Sequence, residues 1–363
     1  MTKFLSSYNG RNIYIKDFSI RLRRCGRLLY LEMGKDELAK LIEKLRGWGE
    51  LHGPVKKGKF HSFERFNSID EIDLNYTRTM IPPKKYFTRP REAIMRVNLR
   101  KGYELLEEDP KKIVLFGLHA CDINAMKIMD SIYIDEFPDP YYAERRRNSF
   151  IVGLSCIPDE ECFCKSMGTD YAYDGFDLFL HDIGDAYIIR VGTERGLELI
   201  RGLDLKKPSK DSLKKLADSE RKRSSMFKKE LLSSHLPDIA DSLHDSDAWK
   251  EYIDRCLGCG SCTLVCPTCR CYDVSEYVDL SMENGFRMRR WDSCFLRSHA
   301  LVAGGLNFRP TRADRFVHRY NCKSAVNRVT NLPYCVGCGR CTVFCPAEID
   351  HVEVLNSVWG VVR

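Results

Sequence analysis

The sequence predicts an α+β protein: an N-terminal α/β domain with a partly parallel sheet, then a mostly helical cysteine-rich domain. Three observations carry this. Continuous apolar runs alternate with helical periodicity after residue 111, cysteines crowd the last third, and the segment between their two densest groups reads as helix. The expected boundaries are 1–205 for the α/β domain, 206–250 for a charged helical linker and 251–363 for the cysteine-rich domain.

The first hundred residues read as mixed α and β. Leu38, Leu41, Ile42, Leu45 and Trp48 recur at helical spacing, with Asp36 placed to cap the helix. Pro82 and Pro83 make Ile81–Phe87 a poor helix and predict an ordered surface segment. Ile113–Leu118 is uniformly apolar, as in a strand covered on both faces; Ile123–Ile134 reads as a helix and Phe150–Leu154 as a second buried strand. Strand, helix, strand at this length is a βαβ unit, so the two strand ends sit side by side. Short strands are expected near Phe176–Leu180 and Ala186–Val191.

Residues 206–230 carry ten Lys/Arg against four Asp/Glu. With only Phe227 available for stacking, this reads as a solvated helix face, not a nucleic-acid surface. Pro237 and the acidic stretch Asp238–Asp247 lead into the last domain.

Composition narrows the function. The chain has 363 residues, 44% apolar and 30% charged, with net charge +7 and 17 cysteines. The odd count, the length and a polar N-terminus without an apolar core argue against a secreted disulfide scaffold. No run of about 18 apolar residues occurs, so no membrane span is expected. A cytoplasmic protein whose thiols bind metal or do redox chemistry remains.

The thiols fall into groups. Cys256, Cys259, Cys262 and Cys266-Pro267 repeat as Cys335, Cys338, Cys341 and Cys345-Pro346, each C-x2-C-x2-C-x3-C-P. That run belongs to bacterial ferredoxins: its first three thiolates ligate one [4Fe–4S] cube and its fourth ligates the other. Gly258, Gly260, Gly337 and Gly339 allow the positive-φ turns such a loop needs, which bring amide N–H groups towards the sulfurs. The expected ligand sets are Cys256, Cys259, Cys262 and Cys345 for cluster one, and Cys335, Cys338, Cys341 and Cys266 for cluster two. Zinc ribbons use separated C-x2-C pairs instead. The 68 residues between the motifs read as largely helical.

Cys121 and Cys156 end the two buried strands, and Cys162 and Cys164 follow on a loop. They are candidates for a third Fe–S cluster at the sheet edge, with buried free thiols or a zinc site as the alternatives. Cys269, Cys271, Cys294 and Cys322 fit a further cluster, a redox-active pair or simple packing; Cys25 reads as structural. Eight arginines between Arg287 and Arg319 face only Asp292 and Asp314 in sequence, and suit cluster neutralisation or subunit docking. His299 and His318 read as hydrogen-bonded residues, not ligands. Nucleotide-loop, zinc-protease and serine-hydrolase motifs are missing, as are the terminal cysteine pairs that hold a nickel–iron centre, so no catalytic residue is assigned.

Longer strings carry a family resemblance. They are Tyr76-Thr-Arg-Thr-Met-Ile-Pro-Pro-Lys-Lys-Tyr86, Phe116-Gly-Leu-His-Ala-Cys121-Asp122, Asp135-Glu-Phe-Pro-Asp139 and Cys162-Phe-Cys164. Further along stand Cys266-Pro-Thr-Cys269-Arg-Cys271-Tyr, Arg289-Arg-Trp-Asp-Ser-Cys294, Ala303-Gly-Gly-Leu-Asn-Phe-Arg-Pro310 and Tyr334-Cys-Val-Gly-Cys-Gly-Arg-Cys341. From about Tyr76 onward the chain resembles the β subunit of archaeal soluble sulfhydrogenases, NADP-linked nickel–iron hydrogenases that also reduce sulfur. More distantly, it is similar to one of the subunits of anaerobic sulfite reductase. The resemblance implies an electron-transfer subunit of an oxidoreductase complex. Its partners would be a flavin and [2Fe–2S] NAD(P)H-binding subunit and the small and large nickel–iron hydrogenase subunits. Alternatives are that the chain itself reduces sulfur, polysulfide or sulfite, or that the relay serves another redox enzyme such as a formate dehydrogenase.

Overall fold

The computed structural model describes residues 29–108, 110–232, 247–281 and 283–360. Cys25 and most of the acidic stretch before Asp247 lie outside these residues.

The α/β half opens with β1 (Leu29–Gly34) and α1 (Leu38–Trp48), followed by β2 (Glu50–Lys57) and β3 (Phe60–Arg65). The α1 stripe Leu38, Leu41, Ile42 and Leu45 is buried as its spacing requires. Asp36 is not its cap: it lies in a preceding 3-10 turn, and Glu37 is the residue before the helix. Next come β4 (Arg91–Asn98), β5 (Gly102–Leu105), β6 (Ile113–Leu118), α2 (Ala120–Asp130), α3 (Pro140–Arg147) and β7 (Ser149–Leu154). Then follow β8 (Leu178–Asp182), β9 (Ala186–Val191), α4 (Glu194–Leu199), β10 (Leu205–Lys206) and α5 (Lys210–Ser225).

Eight strands form one sheet in the order β10-β1-β9-β8-β7-β6-β2-β3. The pairs β2–β6, β6–β7 and β7–β8 are parallel, and the other neighbours are antiparallel. Thus the βαβ unit forms as its apolar runs dictate. β7 is buried at every residue and β6 at all but its first. Leu115, Ile151 and Phe179 pack on one face with the α2 residues Ile123, Met126 and Met129; Val114, Phe150 and Val152 pack on the other with α1.

The cysteine-rich half contains α6 (Lys250–Arg255), α7 (Ser261–Leu264), β11 (Tyr272–Val278), β12 (Asn284–Trp291), α8 (Arg312–Ser324), α9 (Arg340–Val343) and α10 (His351–Gly360). The insert expected to be largely helical instead holds a β-hairpin and one 13-residue helix. Its hairpin joins β4 and β5 in a second sheet, β11-β12-β4-β5, with Asn284 opposite Asn98 and Arg290 opposite Arg91. Tyr272, Val274 and Val278 favour the edge strand β11, and β4, ending 174 residues upstream of Tyr272, pairs with the hairpin's other strand, β12.

Ile81–Phe87 is also not a surface segment. A 3-10 turn buries Pro83 and Lys84, and Phe87 is 1% exposed. α5 is mostly exposed, with Lys215 paired to Asp185 and Arg221 to Asp218, consistent with a solvated charged face. Among the described residues, no helix is long and apolar enough to cross a membrane.

Glu92 on β4 binds two arginines, buried Arg145 of α3 at 2.5 Å and partly buried Arg289 of β12 at 2.7 Å. Glu92→Ala removes the shared counter-charge, while Arg145 retains Glu108 at 2.7 Å. Denaturant unfolding is expected to show a loss near the lower end of about 3–5 kcal/mol, the usual cost of stripping one partner from a buried pair.

Candidate iron–sulfur site

The two cysteine loops fold alike. Gly258 and Gly260 have φ of 64° and 78°; Gly337 and Gly339 have 63° and 71°. These are left-handed values, so the glycines are required where the sequence places them. The Gly258 N–H donates to Cys256 Sγ at 3.4 Å, and the Gly337 N–H lies near the Cys335 thiol. The short helices α7 and α9 start from Gly260 and Gly339, and Ser261 Oγ donates to Phe344 O at 2.8 Å across the pair.

Cys256, Cys259, Cys262 and Cys345 line one cleft of about 540 Å³, partly open to solvent, together with Cys341. Cys345 sits beside Cys256 although 89 positions separate them. Around Cys266, the neighbours are Cys335, Cys341 and Cys262. Cys345 thus lies with the first three cysteines of the other motif, and Cys266 lies near Cys335 and Cys341 of the other motif as well as Cys262 of its own.

Burial pushes the Cys262 thiol up to about 11 and Cys335 up to about 12, with Cys341 raised further. Free thiols at these three positions would stay protonated. Metal binding takes thiolates and releases those protons, so this donor set suits a metal group that replaces them. Orphaned donors point the same way. Arg319 and His351 line the first cleft, and Arg319 Nε and Nη1 and His351 Nε2 are buried without a partner. The inorganic sulfides of a cube would accept from them. Among the described residues, no three His, Cys, Asp or Glu side chains converge tightly enough for a single metal ion.

The sheet-edge group assembles beside the second loop. Cys121 opens α2 after β6, and Cys156, Cys162 and Cys164 follow β7. Cys164 neighbours Cys121, Cys156 and Cys162, and Cys121 also neighbours Cys338. Burial raises Cys156 to about 12 and Cys162 to about 11. The Phe163 N–H donates to Gly337 O at 2.9 Å, and a Cβ on Gly337 would lie 2.5 Å from the Cys164 backbone. Arg78 bonds Asp159, the Cys338 carbonyl at 3.1 Å and Cys162 Sγ at 3.1 Å.

Sequence reasoning pointed to Arg319 among the arginines suited to cluster neutralisation but missed Arg340, Asp122, Lys84 and Lys323. Arg340 inside the second motif pairs with Asp122 at 2.7 and 2.9 Å, both side chains being 1% exposed. Lys84 Nζ donates to Cys269 O at 3.0 Å, and Lys323 Nζ donates to Thr268 Oγ1 at 2.9 Å. The one available signal was position 340, an arginine where the first motif has Ser261. Of the eight arginines noted above, Arg287, Arg289 and Arg290 are paired with Glu276, Glu92 and Asp273, whereas Arg319 faces thiols.

Comparison with known proteins decides the family. The chain is 48% identical over 331 residues to sulfhydrogenase 2 subunit beta of Pyrococcus furiosus, covering 91% of this chain and 98% of that protein. The chain belongs to the sulfhydrogenase β-subunit family. A 4Fe-4S dicluster domain matches residues 255–349, which supports [4Fe–4S] clusters in this sulfhydrogenase-type subunit and an electron-transfer role in an oxidoreductase complex. It is also 25% identical over 260 residues to the F420-dependent formate dehydrogenase subunit beta of Methanocaldococcus jannaschii, covering 65% of this chain and 59% of that protein. No solved structure matches the chain.

Two substitutions test the junction. Arg340→Met leaves Asp122 buried and unpaired, and unfolding is expected to show a loss of about 3–5 kcal/mol, largely recovered by adding Asp122→Leu. Gly337→Ala drives a methyl into the Cys164 backbone and imposes a left-handed alanine. Iron per chain should fall in that variant while Gly58→Ala, at an open positive-φ turn, retains it.

Proposed function

We propose that this chain relays single electrons between a flavin/NAD(P)H subunit and the nickel–iron subunits of a cytoplasmic NADP-linked hydrogenase. Cys256, Cys259, Cys262 and Cys345 would hold one [4Fe–4S] cube, and Cys335, Cys338, Cys341 and Cys266 the second. Cys121, Cys156, Cys162 and Cys164 would hold a third. Each cube supplies a one-electron couple whose potential depends on burial, charge and hydrogen bonds to its sulfurs.

The carrying observation is that the three thiol groups form an unbroken row. Cys341 lines the first cleft, and Cys338, three residues before it, neighbours Cys121 of the third group. Consecutive sites thus share walls, which keeps tunnelling distances short. The row meets the surface at both ends: Cys259 is exposed beside Leu257, and half-buried Cys156 adjoins exposed Ile157. The middle group lies between two packed halves. A relay needs adjoining sites with terminal ones near the surface where partners dock.

The chain's own charges set the middle site. Arg319, Lys323 and Lys84 are 4%, 2% and 5% exposed. Burial opposes the charge on Lys323, yet Cys266 and Cys269 outweigh it and hold the proton more tightly than usual. Buried cations favour the electron-rich state of a neighbouring anionic group.

A second reading keeps the relay but places it in a formate-oxidising enzyme, as the name of the 25% identical relative invites. The longer match at nearly twice the identity to a sulfhydrogenase subunit favours the first.

Cys256→Ala and Cys338→Ala should each remove one cluster's paramagnetic resonance signal and its share of iron from the anaerobically purified protein. Unchanged iron and spectra would defeat the assignment. Lys323→Met should lower a cluster's midpoint potential by tens of millivolts in a redox titration; an unmoved potential would place Lys323 in a packing role alone.

A further inference from the structure

One helix carries two buried cations towards the first two thiol groups. The start of α8 is fixed by a reciprocal cap: Thr311 Oγ1 accepts from the Asp314 N–H at 3.1 Å, and Asp314 Oδ2 accepts from the Thr311 N–H at 2.8 Å. Its inward face buries Phe316, Val317 and Tyr320, and apolar residues would be expected at the other buried positions of that face. Arg319 and Lys323 stand there instead, 4% and 2% exposed. Among the described residues neither has a carboxylate partner: Arg319 Nη2 donates to Cys262 O at 3.4 Å, and Lys323 Nζ to Thr268 Oγ1 at 2.9 Å. Taking a cation out of water without a counter-charge is strongly unfavourable, so an anionic group has to face each of them.

The two cations face different places. Lys323 reaches the second group, because Thr268 Oγ1, which it binds, lies 3.3 Å from Cys266 Sγ. Arg319, one turn earlier, lines the first cleft, whose wall holds Cys256, Cys259, Cys262 and Cys345 together with Cys341 of the second set. Its guanidinium therefore stands against proposed ligands of both cubes. Nη2 is spent on the Cys262 carbonyl, whereas Nε and Nη1 are buried with no partner. A planar guanidinium with donors around its rim serves two acceptors from one fixed position, which a lysine ammonium does not. The wall is well packed at this point: Tyr320, the next residue, lies against His351 and Phe316, each with ring centroids 4.9 Å away.

We propose that Arg319 is a positioning residue shared by the first two iron–sulfur sites, and that it raises the reduction potential of both. This role rests on the cluster assignment made above. A positive charge in a low-dielectric wall stabilises an added electron on either side of it. The two unused N–H groups act in the same direction, since hydrogen bonds to sulfur and local charge both set a cube's potential. Two sites that each had a private counter-charge would respond separately to a substitution. With one charge in common, they move together and the gap between them is largely kept.

The test is an anaerobic redox titration of the full chain followed by electron paramagnetic resonance, with Cys256→Ala and Cys338→Ala identifying the signal of each site. Arg319→Met should lower both midpoints. At the wild-type midpoint each site should then show a reduced-to-oxidised ratio about tenfold lower, a shift of about 59 mV for a one-electron couple. Arg319→Lys, which keeps the charge and loses the fork, should recover part of both shifts with iron per chain at the wild-type level. Arg319→Gln, a donor without the charge, should also lower both midpoints and gives the readout if the methionine variant loses iron. One midpoint moving alone, neither moving, or iron lost from all three variants would overturn the sharing and make Arg319 a structural residue. Absence of the two signals from wild type would instead defeat the cluster assignment, so the two readings fail separately.

Discussion

The buried ion pair between Arg340 and Asp122 is the contact on which the arrangement of the molecule depends. Asp122 stands in the first turn of the helix that follows a central strand, and Arg340 stands inside the second cysteine loop. Their two hydrogen bonds, and a third from Arg340 to Thr79 O at 2.8 Å, join the sheet edge to that loop in a buried space. Such a pair adds little net stability over a well-packed apolar substitute, but it is intolerant of misalignment. It therefore sets which loop meets which sheet edge, and the thiols inherit their placement from it.

The two halves are interlocked beyond this point. A hairpin within the cysteine-rich half completes a sheet with strands from the first hundred residues, and Glu92 ties both to α3 through Arg145 and Arg289. Lys84, from the proline-rich turn before that strand, reaches the Cys269 carbonyl. A change in the α/β half is thus felt at the thiols, and loss of metal would be felt in the α/β half.

The ferredoxin motifs were legible because their chemistry is local. Three thiols two residues apart with glycines between them dictate the loop, and the four glycines adopt the left-handed φ that the spacing requires. The buried strands 113–118 and 149–154 were equally legible, since continuous apolar runs admit few alternatives. The hairpin 272–291 was not, because its ladder is completed by a strand distant in sequence. Nor was the burial of Ile81–Phe87: prolines forbid a long helix but leave open what covers the turn. Residue type alone points to Asp36 as a cap, whereas the helix begins two residues later.

The sequence by itself determined which residues are iron–sulfur candidates, the order of the central strands along the chain and membership in the sulfhydrogenase β-subunit family. Each follows from residue type and short spacing. Only the tertiary structure decided that the three thiol groups adjoin one another and that buried Arg319, Lys323 and Lys84 face them. Those are meetings of distant segments, fixed by packing and by where a buried charge finds its partner.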